Sequence, residues 1–127
     1  MSRALYCQPI QHRLEQGLYG GRTLTDFKID SSEGVQTIDL VWLSDDQWRL
    51  FAGIEVAPFA PRICIEFNPE TATLNERAQL LLNQFAEEVW FCDAQGQLSF
   101  YNQNGQLSQS RMAPRFQSNM LLPENHS

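Results

Sequence analysis

The chain is 127 residues long, with 43% apolar, 11% aromatic and 19% charged residues, which is enough for one core of a single domain and too short for a multidomain enzyme. Nine Lys and Arg against 15 Asp and Glu give a net charge of −6, which argues against a dedicated nucleic-acid coat, whose affinity comes from cations displacing counterions along the phosphates. Lys28 is the only lysine and every other cation is an arginine, a distinction that matters wherever a site needs a group that can give up a proton.

Residues 1–20 read as a short helix around His12-Arg-Leu-Glu-Gln-Gly-Leu-Tyr19, cut by Gly17, Gly20 and Gly21, with a small expected contribution to the core. Leu24, Phe27 and Ile29 set against Asp26 and Lys28 predict a strand, and the turn Ser31-Ser-Glu-Gly34 joins it to a second strand over 35–43. Ser44 with Gln47 has capping-box spacing and predicts a short helix ending before Gly53. Arg62-Ile-Cys-Ile-Glu-Phe67 is apolar at nearly every position, as a central strand covered on both faces would be. Thr73 with Glu76, followed by Leu74, Ala78, Leu81 and Phe85 on one helical face, predicts a helix that covers the sheet. Glu88-Val-Trp-Phe-Cys92 is another dense strand, and turns at 93–96 and 102–105 join it to two further short strands in a meander. The expected architecture is an α/β domain over 1–127, a mixed sheet with flanking helices, in which 1–20 and 112–127 are peripheral.

Cys7, Cys64 and Cys92 are odd in number and lack metal-ligand spacing, so they are expected as reduced thiols. No window approaches a membrane span and no signal-peptide core is evident, which predicts a soluble cytoplasmic protein with no membrane partner. His12 and His126 are isolated, and neither a nucleophile elbow nor a glycine-rich phosphate loop is present. Trp42, Trp48 and Trp90 read as packing residues.

Two acids break apolar strands: Asp39 within Thr37-Ile-Asp-Leu-Val-Trp42 and Glu66 within Ile63-Cys-Ile-Glu-Phe67. A carboxylate inside such a run is costly unless paired, hydrogen-bonded or bound to a metal. In neighbouring strands the two would suit a hard divalent cation, which takes oxygen ligands. The competing reading leaves each acid at a strand end, exposed or paired with an arginine.

The blocks Gly34-Val-Gln-Thr-Ile-Asp-Leu-Val-Trp-Leu-Ser44, Ala60-Pro-Arg-Ile-Cys-Ile-Glu66 and Glu88-Val-Trp-Phe-Cys-Asp-Ala-Gln-Gly-Gln-Leu-Ser-Phe-Tyr101, in that order, resemble the Uma family of restriction-endonuclease-like proteins. That family is abundant in cyanobacteria and belongs to the PD-(D/E)XK nuclease superfamily. The resemblance implies a four-stranded mixed sheet with flanking helices. It also implies a phosphodiesterase site in which Asp39 and Glu66 bind magnesium or manganese, if active, and a lysine helps to activate water. Asn68 stands where the superfamily usually has that lysine, and the Uma family's helix-borne Glu-Lys pair reads Glu76-Arg77 here. Arg77 is thus the candidate substitute, able to clamp a phosphate but a poor proton-transfer group.

Lys28 is the other candidate, because a tight hairpin would set Asp26 opposite Asp39 and Lys28 opposite Thr37; its competing role is to guard an edge strand against aggregation. The expected activity is a divalent-metal-dependent endonuclease with a degenerate site that binds DNA weakly. The alternative is a catalytically inactive nuclease-fold binding or assembly module, with the oligomeric state left open.

Overall fold

The computed structural model describes residues 2–121, with side chains from residue 5 onward. Helix α1 (Ser2–Gly17) leads into a hairpin of β1 (Gly21–Ile29) and β2 (Gln36–Ser44), then α2 (Asp45–Phe51) and β3 (Ile63–Phe67). A single 3-10 turn precedes α3 (Leu74–Asn83), and β4 (Glu88–Cys92), β5 (Leu98–Asn102) and β6 (Gly105–Leu107) come after it. The strands form one six-stranded sheet in sequence order, two strands more than the family resemblance implied. Every pair is antiparallel except β3–β4, which is parallel and joined by α3, because two parallel neighbours need a crossover rather than a hairpin.

Both faces of the sheet are covered. On one, Leu40, Trp42, Ile63, Ile65, Phe67, Trp90 and Phe100 pack with Cys7, Ile10 and Leu14 of α1 and with Ala113 and Phe116. On the other, Val41, Leu43, Cys64, Val89 and Phe91 pack with Phe51 of α2 and with Ala78, Leu81 and Leu82 of α3. β3 and β4 lie in the middle of this sandwich, which is why they are apolar almost throughout.

Several expectations are corrected. The amino-terminal segment is not peripheral: α1 runs through Pro9, and Ile10 and Leu14 are fully buried, because Cys7, Ile10 and Leu14 share one helical face. Gly21 starts β1 rather than ending a helix, and its bare backbone admits Trp42, whose ring would lie 2.3 Å from any added Cβ. The carboxy-terminal segment is docked as far as Phe116, with Met120 and Leu121 packed against the same core; the remainder of the expected tail, 122–127, lies outside the described residues.

The Ser44 cap forms, its Oγ accepting the Gln47 N–H at 3.2 Å, but the Thr73 side chain makes no cap bond. Phe85 is not on the buried face of α3; it lies past the helix end and is 75% exposed. Cys7, Cys64 and Cys92 are all reduced and buried. Trp90 and Trp42 are core residues, and Trp48 lies beneath the Arg22 guanidinium, 4.2 Å from the ring centre.

Candidate active site

Asp39 occupies a break in two ladders. The β1–β2 hairpin has the expected register, with Lys28 opposite Thr37 and Phe27 opposite Ile38. The Asp26–Asp39 position is absent from that ladder, and Asp26 is left-handed there, with φ of 52°. Between β2 and β3 the ladder ends at Leu40–Ile65, and one further step of the same register would set Asp39 opposite Glu66. At that step the carboxylate replaces the backbone as acceptor: Asp39 Oδ2 takes the Phe67 N–H at 2.9 Å. The break also shifts the strand's facing, since Ile38 packs into one core and Leu40 into the other. A side chain between two such residues can leave both cores and turn toward the end of the sheet.

Glu66 is on the α3 side of β3, and the chain turns away just after it. Asn68 is left-handed with φ of 53°, a conformation that Asn tolerates better than most residues, and its N–H donates to Cys92 O at 2.8 Å. Asp39, Glu66, Asn68, Glu70 and Arg77 line one cavity of about 220 Å³. A larger cavity, about 320 Å³, lies between the end of α1 and residues 113–120 and includes none of these side chains.

Arg77 is held on Glu66 by two parallel bonds, Nε to Oε1 at 2.5 Å and Nη2 to Oε2 at 2.8 Å. Its Nη1 donates to the Gln36 side-chain oxygen and its Nη2 also approaches Thr37 O at 3.4 Å. This is the planar, forked recognition of a carboxylate for which arginine is suited and lysine is not. The Arg77 and Glu66 side chains keep 23% and 14% of their exposure. Its hydrogen bond to Glu66 raises the Arg77 pKa further above its ordinary value, outweighing a burial effect of opposite sign. Behind the pair, burial and then the Glu66 charge push the Cys64 thiol up, so it stays protonated and inert.

Of the four sequence-derived candidates, the structure brings together Asp39, Glu66 and Arg77. Lys28 is exposed on edge strand β1 and does not line the cavity. Glu15 accepts the Thr23 hydroxyl at 2.9 Å, and Arg62 pairs with Glu87 at 2.9 Å. Sequence reasoning missed Gln36 and the Phe67 N–H, since neither residue type at those positions carries a chemical signal.

A divalent cation does not fit this donor set as it stands. Both Glu66 oxygens carry guanidinium N–H groups and Asp39 Oδ2 carries a backbone N–H. Among the described residues, no three His, Cys, Asp or Glu side chains converge.

No family model and no curated protein matches the chain. Among solved structures, it is similar to one described as "a putative nuclease belonging to DUF820" from Anabaena variabilis, with a TM-score of 0.69 and 10% sequence identity. The similarity covers 84% of this chain and 66% of that one. At that identity the likeness shows the fold: a mixed α/β, nuclease-like architecture, the class expected from the sequence. No helix among the described residues is long and apolar enough to cross a membrane.

Proposed function

We propose that this protein is an endonuclease-like protein of the Uma type, acting on the phosphodiester bonds of DNA through a degenerate site. The observation that carries the reading is that Asp39 and Glu66, the two acids that interrupt apolar strands, line one cavity together with Arg77, on a fold similar to that of the Anabaena protein. In the family's scheme magnesium or manganese would supply an activated water and charge stabilisation on phosphate, an ion that the site does not take while Arg77 stays on Glu66. The chain's own residues supply the rest. Asp39 is oriented by the Phe67 N–H, and Arg77 holds Glu66 in a fixed position. Arg77 keeps its proton throughout, so no group in the cavity matches the proton-transfer role of a lysine. Three buried, reduced cysteines suit a reducing compartment, and a cytoplasmic location belongs to the same proposal.

The test is cleavage of a supercoiled plasmid with manganese. The wild type should cleave slowly and Asp39→Asn not at all, while Arg77→Lys should cleave faster, because general acid–base help is worth about 10²–10⁴-fold. A rate abolished by Lys28→Ala would move the lysine role to β1. If the wild type and Arg77→Lys both fail to cleave with any divalent ion, the catalytic reading falls and the binding or assembly module takes its place.

A further inference from the structure

We infer that Arg77 is a built-in counter-ion that closes the carboxylate pair against divalent cations, so that cation uptake requires the guanidinium to leave Glu66. This rests on the reading of Asp39 and Glu66 as a nuclease-like pair and adds the way access to that pair is controlled.

Glu66 has two oxygens, and each accepts an N–H from the same guanidinium, at 2.5 and 2.8 Å. A cation coordinated by Glu66 must approach one of those oxygens, where it would meet a hydrogen bond and a positive charge. At these separations like charges in a partly buried setting repel strongly. Arg77 is also tethered from its far side: Nη1 is held by the Gln36 side chain and Nη2 faces Thr37 O. The guanidinium is therefore fixed by three residues on two strands, an arrangement a freely moving surface arginine lacks. Asp39 alone, with Oδ2 already accepting the Phe67 N–H, offers too few oxygens for an ion that takes about six or more.

Removing the guanidinium frees both Glu66 oxygens of the N–H groups they accept, while the Asp39 bond to the Phe67 N–H does not involve it. Gln36 offers a gentler way to the same end, since it steadies Arg77 through Nη1, the nitrogen outside the fork on Glu66.

The experiment is manganese titration by calorimetry, in the absence of nucleic acid, on the folded wild type, Arg77→Met, Gln36→Ala and Arg77→Met combined with Glu66→Gln. Arg77→Met should bind manganese about 10- to 100-fold more tightly than the wild type, the range over which contacts to ligating groups act on metal affinity. Gln36→Ala should show a smaller gain in the same direction, and the double variant should lose the gain. Should Arg77→Met fail to fold, the Gln36→Ala comparison decides. Wild-type binding as tight as that of the variants, or no gain in any folded variant, overturns the inference. The nuclease reading fails separately: a variant that gains manganese but leaves plasmid DNA intact upholds the counter-ion and removes the hydrolase.

Discussion

At the scale of single residues, two carboxylates illustrate opposite solutions to the cost of burying charge. Glu66 is neutralised by one guanidinium. Glu88, 2% exposed, is instead surrounded by neutral donors: Trp90 Nε1 at 2.9 Å, Ser110 Oγ at 2.6 Å, and the backbone N–H groups of Arg111 and Met112 at 2.8 and 2.9 Å. Hydrogen bonds to the charged form substitute for water around the carboxylate. They also bind the start of the carboxy-terminal segment to the first residue of β4, close to where Phe116 stacks on Trp90 with ring centres 4.7 Å apart. Glu88→Ala strands two part-buried backbone donors, a buried hydroxyl and a buried indole N–H. It should therefore lower the unfolding free energy by about 3 kcal/mol or more in urea denaturation. Trypsin should cut the variant sooner after Arg111 and Arg115; unchanged stability and protection would refute this role.

At the scale of elements, the end of α3 carries a residue that its backbone conformation does not favour. The helix ends in a Schellman arrangement, with Phe85 N–H donating to Leu82 O at 3.0 Å and Ala86 N–H to Leu81 O at 3.2 Å. That motif places the residue after the cap in the left-handed region, normally the position of glycine, yet here it is Phe85, with φ of 76°. An exposed aromatic residue in that conformation gains only edge contact with Phe59, centres 6.4 Å apart. Phe85→Gly should therefore stabilise the fold by about 0.5–1 kcal/mol, the left-handed penalty less the entropy a glycine loses on folding. A thermal melt checks it, and a lower Tm would mean that the Phe59 contact outweighs the strain.

At the scale of the whole molecule, the charge balance limits any encounter with nucleic acid. The net charge is −6, and among the described residues three arginines are already on carboxylates: Arg49 on Asp46, Arg62 on Glu87 and Arg77 on Glu66. At most six of the nine cations remain to displace counterions, and they are scattered along the chain. Binding to duplex DNA should be weak and lost as salt rises, with a log–log slope of about −2 to −3, as for two or three phosphate contacts. Fluorescence anisotropy across a salt series measures this. Tight binding at physiological salt would show a concentrated positive surface that the net charge conceals.

The sequence by itself determined the order of strands and helices from β1 onward, because each rests on local signals: alternation in the hairpin, unbroken apolar runs in β3 and β4, and glycine turns in the meander. It also singled out Asp39 and Glu66, since a charge in an apolar run needs a partner wherever the run is buried, whereas Arg77 was suggested only by the family resemblance. It held little warning of α1's contribution, because Cys7, Ile10 and Leu14 are spread among polar residues and a proline, and only the sheet face they meet makes them a core. Glu88 begins a dense strand without any local signal of its role, since its donors in the carboxy-terminal segment lie more than 20 residues away. That Arg77 grips Glu66 rather than pointing to solvent, and that Lys28 stays outside the cavity, were decided by the tertiary structure alone. Both depend on where a crossover helix settles over two strands, which is set by the packing of Ala78, Leu81 and Leu82 against the sheet and not by any local pattern.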